Sequence, residues 1–323
     1  MAPLFPQAKA RSVDVVIPVY NGAPHILSAI ESVDRQDLPA KTIIVVDDGS
    51  TDATPDIIRH YHGVTPLRYL RQENRGLSAA RNTGWRAGHS EFVAFLDADD
   101  VWEPQKLSAQ MGIWDHSMNQ KVDLVYCGYH SIDQAGQTVT IPGRPIIPPQ
   151  LRGRVFEALL PKNIVSGSGS AVVIRRAALH VTGGFDESLR ALEDWDLWLR
   201  IAQQSEIDFV DRDLVGIRTH SGGMQQDQSR MMTATIDFFS RWLERLPDKT
   251  QPPSGWVKTL VRYAGNSWPP NKFWRTLNTR MSPTARQRLA DFIRRDMKAY
   301  AAVRFASLPI ELLIRRPWRQ QRS

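Results

Sequence analysis

A chain of 323 residues and 36.6 kDa is one large domain or two ordinary ones, long enough to bury a core without disulfides or a structural metal. At 42% hydrophobic and 23% charged it is globular, which excludes a disordered chain, and its single cysteine, Cys127, excludes an internal disulfide and suits a reducing compartment. The net charge of +7 hides a division: residues 241–323 carry 18 Lys+Arg against 5 Asp+Glu, and residues 1–240 carry 23 against 29. A mildly acidic body thus bears a strongly basic C-terminal quarter, for which an anionic partner is expected. No apolar run approaches the twenty residues of a spanning helix, and residues 1–11 do not read as a charged-then-apolar leader, so none is expected. The expected location is cytoplasmic, either soluble or peripheral on the inner face of the cell membrane.

After a lead over residues 1–11, Val13-Asp14-Val15-Val16-Ile17-Pro18-Val19 reads as a buried strand that Pro18 closes. Ile26, Leu27, Ile30 and Val33 fall at helical spacing. Thr42-Ile43-Ile44-Val45-Val46 predicts a second strand, stopping at Asp47-Asp48-Gly49-Ser50-Thr51-Asp52. A helix from Ala53 to about Tyr61, a strand at Leu67-Arg68-Tyr69-Leu70 and a helix from Leu77 to Ala87 follow. The fourth strand, Phe92-Val93-Ala94-Phe95-Leu96, ends at Asp97-Ala98-Asp99-Asp100. This alternation predicts an α/β fold with a doubly wound, mostly parallel sheet flanked by helices. Ligands on such sheets bind beyond the carboxyl ends of the strands, where Tyr20-Asn21, Asp47-Asp48 and Asp97-Asp99 converge.

From about Lys121 short apolar runs, Leu124 to Cys127 and Val172 to Ile174, are separated by a Pro-rich connector from Ile141 to Pro149. Gly183-Gly184-Phe185-Asp186 then makes a turn, and Glu193-Asp194 opens an apolar helix from Trp195 to Ala202. Beyond Arg218 the chain becomes helical, basic and aromatic, with Leu289, Phe292, Ile293, Tyr300 and Val303 on one helical face.

Asp97 and Asp99 straddle a small residue at a strand end. Alternate residues of extended chain point the same way, so both carboxylates can face one hard divalent cation; an ordinary acidic turn is the plain alternative. Asp48 suits acceptance of a hydrogen bond from a base N–H, while Ser50 or Asp52 suits capping of the next helix. Glu193, Asp194 and Asp196 fit a helix N-terminus on electrostatic grounds alone, but beside two tryptophans they also suit a desolvated general base. His220, after the apolar run Leu214-Val215-Gly216-Ile217, reads as a structural histidine, and Cys127 as a buried small hydrophobe. No GxGxxG follows the first strand, and no Walker lysine motif, nucleophile elbow or HExxH helix occurs.

VVIPVYNG, VVDDGSTD, NRGLSAARNTG, FVAFLDADD, GGFDESL and EDWDLWLRIA, in that order, resemble glycosyltransferase family 2 across about residues 12–222. The resemblance implies a GT-A fold and an inverting enzyme using a nucleotide-diphosphate sugar, with a nucleotide-binding half over about 12–120 and an acceptor half over about 121–222. It implies that Pro18, Val19 and Tyr20 hold the nucleotide, that Asp48 bonds the base, and that Arg81 approaches the donor. Asp97-Ala98-Asp99 matches the DXD motif, with Asp97 and Ala98 on the nucleotide-sugar side and Asp99 as direct ligand of Mn²⁺ or Mg²⁺. Asp97 and His220 are further candidates near the metal and diphosphate. Asp194 matches the catalytic base and Glu193 the residue that orients groups beside it. The QxxRW motif of processive synthases is absent, which points to single transfer. UDP is favoured over GDP or dTDP by family habit.

The expected acceptor is a glycan or lipid-linked intermediate of cell-surface polysaccharide biosynthesis. The extension, 223–323, interleaves Arg and Lys with Trp256, Trp268, Trp274 and Trp318, a composition suited to an anionic membrane surface. Packing on the catalytic domain or on a second subunit, making a homodimer, is the alternative. A non-catalytic nucleotide-sugar or glycan-binding protein on the same scaffold is the rival reading, which the intact carboxylates oppose. A nucleotidyltransferase would leave the Glu193-Asp194 helix without a purpose. No nucleic acid partner is expected, because the positive charge is confined to the tail and no nucleic-acid motif accompanies it.

Overall fold

The computed structural model describes residues 11–115, 121–142, 146–165, 167–219, 228–247, 250, 252–256, 259–260 and 270–295. They divide into two compact units, the first drawn from residues up to Leu159 with Asn163–Ser188 and Glu193–His220, the second from Leu160–Lys162, Leu189–Leu192 and the chain after His220.

The first unit is built on one sheet. Strands β1 (Val13–Val19), β2 (Thr42–Asp47), β3 (Leu67–Arg71) and β4 (Phe92–Phe95) form its parallel half in the order β3-β2-β1-β4. All seven residues of β1 are buried; six are apolar, and Asp14 is satisfied by the His89 and Ser90 N–H groups, the Ser90 hydroxyl and Arg176. The connections are helices α1 (Ile26–Asp34), α2 (Thr54–Arg59) and α3 (Leu77–Ala87). Pro18 lies beyond the last β1–β4 pair, Val16 with Phe95, so it takes no donor from that ladder.

Because β1, β2 and β4 run the same way, Tyr20, Asp48 and Asp97 leave the sheet at one edge. The sheet continues as β8 (Val172–Arg175), β6 (Val122–Ile132), β9 (Glu206–Arg218) and β5 (Val101–Trp102), with β7 (Thr138–Val139) on β6. Here only β6 and β9 are parallel; β4–β8, β6–β8, β5–β9 and β6–β7 are antiparallel. The mostly parallel expectation therefore holds for β1 to β4 and gives way to a mixed sheet beyond them. Helical crossovers, which parallel pairing needs, are legible as periodicity, whereas the pairing of short isolated runs is not.

The core between sheet and helices includes Ile17, Val45, Phe92, Leu107, Trp114 and Cys127, the last fully buried. It also holds a charge. Lys106, at the start of α4 (Lys106–Ile113), is wholly enclosed, donates to Gln110 Oε1 at 2.7 Å and sits 3.9 Å over the Trp102 ring. The remaining helices of this unit are α5 (Phe156–Leu159), α6 (Arg176–Thr182) and α7 (Glu193–Ala202).

The second unit contains α8 (Gln228–Arg245), α9 (Pro270–Arg280) and α10 (Pro283–Arg295). Ser282 caps α10 by accepting the Ala285 N–H at 3.1 Å, with Pro283 following it. Arg288 closes the other end of α8 by donating to the carbonyls of Leu243, Leu246, Pro247 and Thr250. Leu289 and Phe292 are buried, as their shared face predicts; Tyr300 and Val303 lie outside the described residues. Trp256 departs from expectation. It is 1% exposed, stacks on Phe239 at 4.4 Å and donates to the Leu160 carbonyl, so it is core and cannot face a membrane. Aromatics among basic residues give one pattern for a lipid-facing helix and for a core-facing one. Trp268 and Trp318 lie outside the described residues.

Candidate active site

At the end of β1, Tyr20 is 54% exposed, an aromatic face held at the sheet edge. Asn21 behind it has φ +51°, and its side-chain oxygen accepts the Thr51 N–H at 2.8 Å while its own N–H donates to Ser50 Oγ at 2.9 Å. Asp52 accepts from Ala23 N–H and Thr54 N–H, so it serves the start of α2. The β1 and β2 loops are thus stitched into one rim.

The two adjacent aspartates after β2 have different work. Asp47 is fully buried and accepts from Ser50 N–H, Tyr69 hydroxyl and Arg71. Asp48 accepts from Gln72 Nε2 at 2.7 Å and from the N–H groups of Arg75 and Gly76 at 2.9 and 2.7 Å. Gly76 donates from φ +93°, a conformation only glycine adopts cheaply. Asp48 therefore anchors the loop entering α3 with three of its roughly four lone-pair positions, and one acceptor position remains.

The acidic loop after β4 is held from below. Ser170 Oγ accepts the Asp97 N–H at 3.0 Å and donates to Asp100 Oδ2 at 2.6 Å. Arg218, at the end of β9, donates from Nε to the Asp99 carbonyl and from its backbone N–H to Asp100 Oδ1. Burial, then the charges of Asp99 and Asp97, push the Asp100 pKa well above the usual carboxylate range. Ser168, at φ +57°, brings its hydroxyl to 3.4 Å from Asp97 Oδ2.

Arg81 joins this loop to α7. Its side chain is 2% exposed, with Nη2 donating to Asp97 Oδ1 at 2.6 Å and Nη1 to Glu193 Oε1 at 3.0 Å. The Phe185 ring lies 5.1 Å from its Cζ. Asn82, next in α3, saturates its amide on Phe185 N–H and carbonyl, Trp85 Nε1 and Glu187, and so locks the Gly183–Glu187 turn. Asp194 stands beside Glu193 in the first turn of α7, after Leu192 at φ +62°. Asn21, Ser168 and Leu192, the three described non-glycine residues with positive φ, all flank candidate site residues.

Burial, then the negative charge of Glu193, raises the Asp194 pKa to about 7, with Arg81 and the Trp195 N–H opposing. Asp196, fully buried, pairs with Arg200 one turn on at 2.8 Å.

The structure thus brings Asp97, Arg81, Glu193 and Asp194 into one connected group and places Asp48 and Tyr20 along the same sheet edge. Arg81 itself is buried, with both Nη atoms on carboxylates. His220 lies outside the described residues. Ser168, Ser170, Asp100 and Arg218 were not singled out from sequence. Asp100 closes the acidic run and Arg218 precedes His220, so both sit within motifs the sequence marks, and the two serines fall in the stretch from Asn163 to Ser170, where contacts to the sugar are expected.

Among the described residues no three His, Cys, Asp or Glu side chains are grouped to hold a metal by themselves. The loop still fits a hard cation. Its donors are carboxylate oxygens, and three clustered acids create a field that a divalent ion would relieve. Asp97, which already meets Arg81 through Oδ1, and Asp99 would supply its carboxylate oxygens, and the remaining positions would fall to diphosphate oxygens and water.

The profile of glycosyl transferase family 2 matches residues 14–182. A glycosyltransferase of Rickettsia prowazekii (strain Madrid E), itself uncharacterized, is 32% identical over 236 residues, 72% of each chain. The fold is similar to S. aureus TarS 1–349 in complex with UDP-GlcNAc, with TM-score 0.59, 18% identity, and 90% of this chain and 83% of that one covered. Of a longer TarS chain it spans 54%. It is also similar to mannosyltransferase PcManGT from Pyrobaculum calidifontis in complex with GDP-Man and Mn²⁺, with TM-score 0.55, 21% identity, and 94% and 83% covered. These likenesses establish the GT-A architecture, and with the sequence match they show that the chain is a glycosyltransferase that belongs to glycosyltransferase family 2.

Proposed function

We propose that this glycosyltransferase moves a sugar from a nucleotide-diphosphate donor, of the UDP class, onto a hydroxyl of a glycan or lipid-linked acceptor, with inversion in a single displacement. One observation carries the reading: a carboxyl group, Asp194, poised near neutrality, in a corner wired by Arg81 to the acidic loop that would face a diphosphate. Asp194 takes the proton of the acceptor hydroxyl as that oxygen attacks the anomeric carbon from the face opposite the leaving group. Tyr20, with Pro18 and Val19 beneath it, gives the base a stacking face, and Asp48 offers its remaining acceptor position to a base N–H. Asp99 and Asp97 would hold Mg²⁺ or Mn²⁺, which supplies charge neutralisation for the departing diphosphate. TarS 1–349 in complex with UDP-GlcNAc supports the donor class, and PcManGT with GDP-Man and Mn²⁺ supports the use of a divalent metal.

Calorimetric titration with UDP, GDP and dTDP, each with and without Mn²⁺, tests this reading. Metal-dependent binding of UDP that is lost in Asp99→Ala is expected. Absence of binding by all three nucleotides would overturn this reading in favour of the rival, a non-catalytic glycan-binding protein on the same scaffold.

The second unit exposes Arg275, Arg280 and Arg295, and no described helix is long and apolar enough to cross a membrane. We propose that these residues rest on an anionic lipid surface, where each adds about 1 kcal/mol. Deleting residues from 241 onward would cut α8, so charge reversal, Arg275→Glu with Arg295→Glu, is the cleaner variant. Low-salt sedimentation with vesicles of phosphatidylserine should pellet the parent chain and leave the variant in solution. Equal pelleting would refute the membrane role, and light scattering of the same samples would register a homodimer.

A further inference from the structure

We propose that Ser170 is a positioning residue: its buried hydroxyl staples the two ends of the acidic turn after β4, so that Asp97 and Asp99 stand in place for a divalent cation before it binds. The inference rests on the reading of Asp97 and Asp99 as metal ligands and adds to it the group that builds their turn.

The antiparallel pairing of β4 with β8 sets the arrangement up. Ala94 lies opposite Val173, and the same register carried three positions further puts Asp97 opposite Ser170. There the chain turns. The Asp100 N–H donates to the Asp97 carbonyl at 3.0 Å, which closes a four-residue turn with Ala98 and Asp99 at its corner. One hydrogen bond does not offset the cost of ordering four residues of backbone.

Ser170 Oγ supplies what the turn lacks. It accepts the N–H of Asp97, the first residue, at 3.0 Å and donates to Oδ2 of Asp100, the last, at 2.6 Å. A hydroxyl can accept and donate from one atom, which alanine cannot imitate. Asp100 is buried, whereas Asp97 and Asp99 are partly exposed. The staple thus holds the acid that faces the interior and leaves the other two at the surface.

Ser170 is held in its own place. It is wholly buried, its N–H donates to Ser168 Oγ at 3.3 Å, and its carbonyl accepts from Trp102 Nε1 at 2.9 Å. From β9, Arg218 secures the corner through Nε on the Asp99 carbonyl at 2.8 Å and its backbone N–H on Asp100 Oδ1 at 3.0 Å. The turn is therefore ordered by interior groups, and its ordering is met on folding and not on metal binding.

Amide hydrogen exchange of the full chain, without metal or nucleotide, reads the turn directly. The Asp97 N–H should be protected in the parent, little further protected by Mn²⁺ with UDP, and unprotected in Ser170→Ala. An Asp97 amide that exchanges as in an unstructured peptide until Mn²⁺ and UDP are added would overturn the proposal, because the ligands would then order the turn. Protection that persists in Ser170→Ala would overturn it as well.

Uptake of Mn²⁺ in the presence of UDP, followed by loss of the free-ion electron paramagnetic resonance signal, supplies the second readout. Ser170→Ala should raise the Mn²⁺ Kd by about tenfold, the worth of about one hydrogen bond. Trp114→Phe, which removes the bond from Trp114 Nε1 to the Val122 carbonyl in the core, should lower Tm and leave that Kd unchanged. A Kd that is unmoved in Ser170→Ala, or raised equally in both variants, would make the hydroxyl a matter of stability alone and overturn the proposal. Where Ser170→Ala does not fold, exchange of the Asp97 amide in the parent decides alone. A parent chain that takes up no Mn²⁺ with UDP would remove the metal-ligand reading, and this inference with it. Uptake by the parent that Ser170→Ala matches removes this inference alone.

Discussion

The buried guanidinium of Arg81 donates to Asp97 across 2.6 Å, tying helix α3 to the acidic loop after β4. The tie depends on a residue outside it. Gly169 lies against the guanidinium, and a methyl group there would displace it by several tenths of an ångström. Gly169→Ala should fold, because its neighbours can give slightly, but lose on the order of tenfold in turnover, since misplacement on the scale of an ångström costs up to ~100-fold. Thermal melting with steady-state kinetics separates the two. A variant that is destabilised but fully active when folded would contradict the account.

Asp194→Asn should lose most of its turnover and gain stability. A carboxyl whose pKa rises from 3.8 to about 7 on folding holds its proton in the native chain after the unfolded chain has released it. The unfolded state then binds fewer protons between about pH 4 and 7, so this group's contribution to stability falls as pH rises through that window. The melting temperature of Asp194→Asn should therefore exceed that of the parent at pH 8, with the gap closing toward pH 4. Activity of the parent should decline below pH 7 as the base becomes protonated.

Lys106 supplies a prediction of opposite origin. Burial lowers its pKa from 10.5 to about 8, with Cys127 opposing. Between those values the unfolded chain binds the proton and the folded one has lost it, so stability rises with pH from 8 to 10.5 and is reduced below 8. The reduction is on the order of 3 kcal/mol at neutral pH, offset in part by the Trp102 ring and Gln110. Lys106→Met should raise the melting temperature at pH 7, with the gain fading above pH 10. A loss at pH 7 would show that the Trp102 contact outweighs desolvation.

Strands β1 to β4 with their helices were legible because their runs are rich in β-branched and aromatic residues and the helices between them carry one apolar face. The convergence of Tyr20, Asp48 and Asp97 followed from parallel topology alone. The wiring was not legible. That Arg81 would turn inward to Asp97 and Glu193 depends on residues 16 and 112 positions away, and no local pattern encodes such pairing. Asp47 and Asp48 are indistinguishable as letters, yet one is sealed by Tyr69 and Arg71 and the other anchors the loop at Gly76. Trp256 shows the limit in the basic region, where composition cannot tell a core face from a lipid face.

Trp256→Ala should cost about 3–5 kcal/mol, as expected for a large buried aromatic. It stacks on Phe239 and donates to a buried carbonyl, so both packing and a hydrogen bond are lost. Chemical denaturation checks the size. Arg275→Glu, on an exposed position of α9, should change stability by less than about 0.5 kcal/mol.

Release of UDP from a panel of UDP-sugars by the parent chain and by Asp194→Asn, with Mn²⁺ present and candidate glycan acceptors added, tests the central claim most directly. The account predicts that Asp194→Asn binds UDP as tightly as the parent but turns over about 10²–10⁴-fold more slowly, the range of a lost general base. Turnover by Asp194→Asn equal to that of the parent would contradict it and leave Asp194 a structural acid at the start of α7.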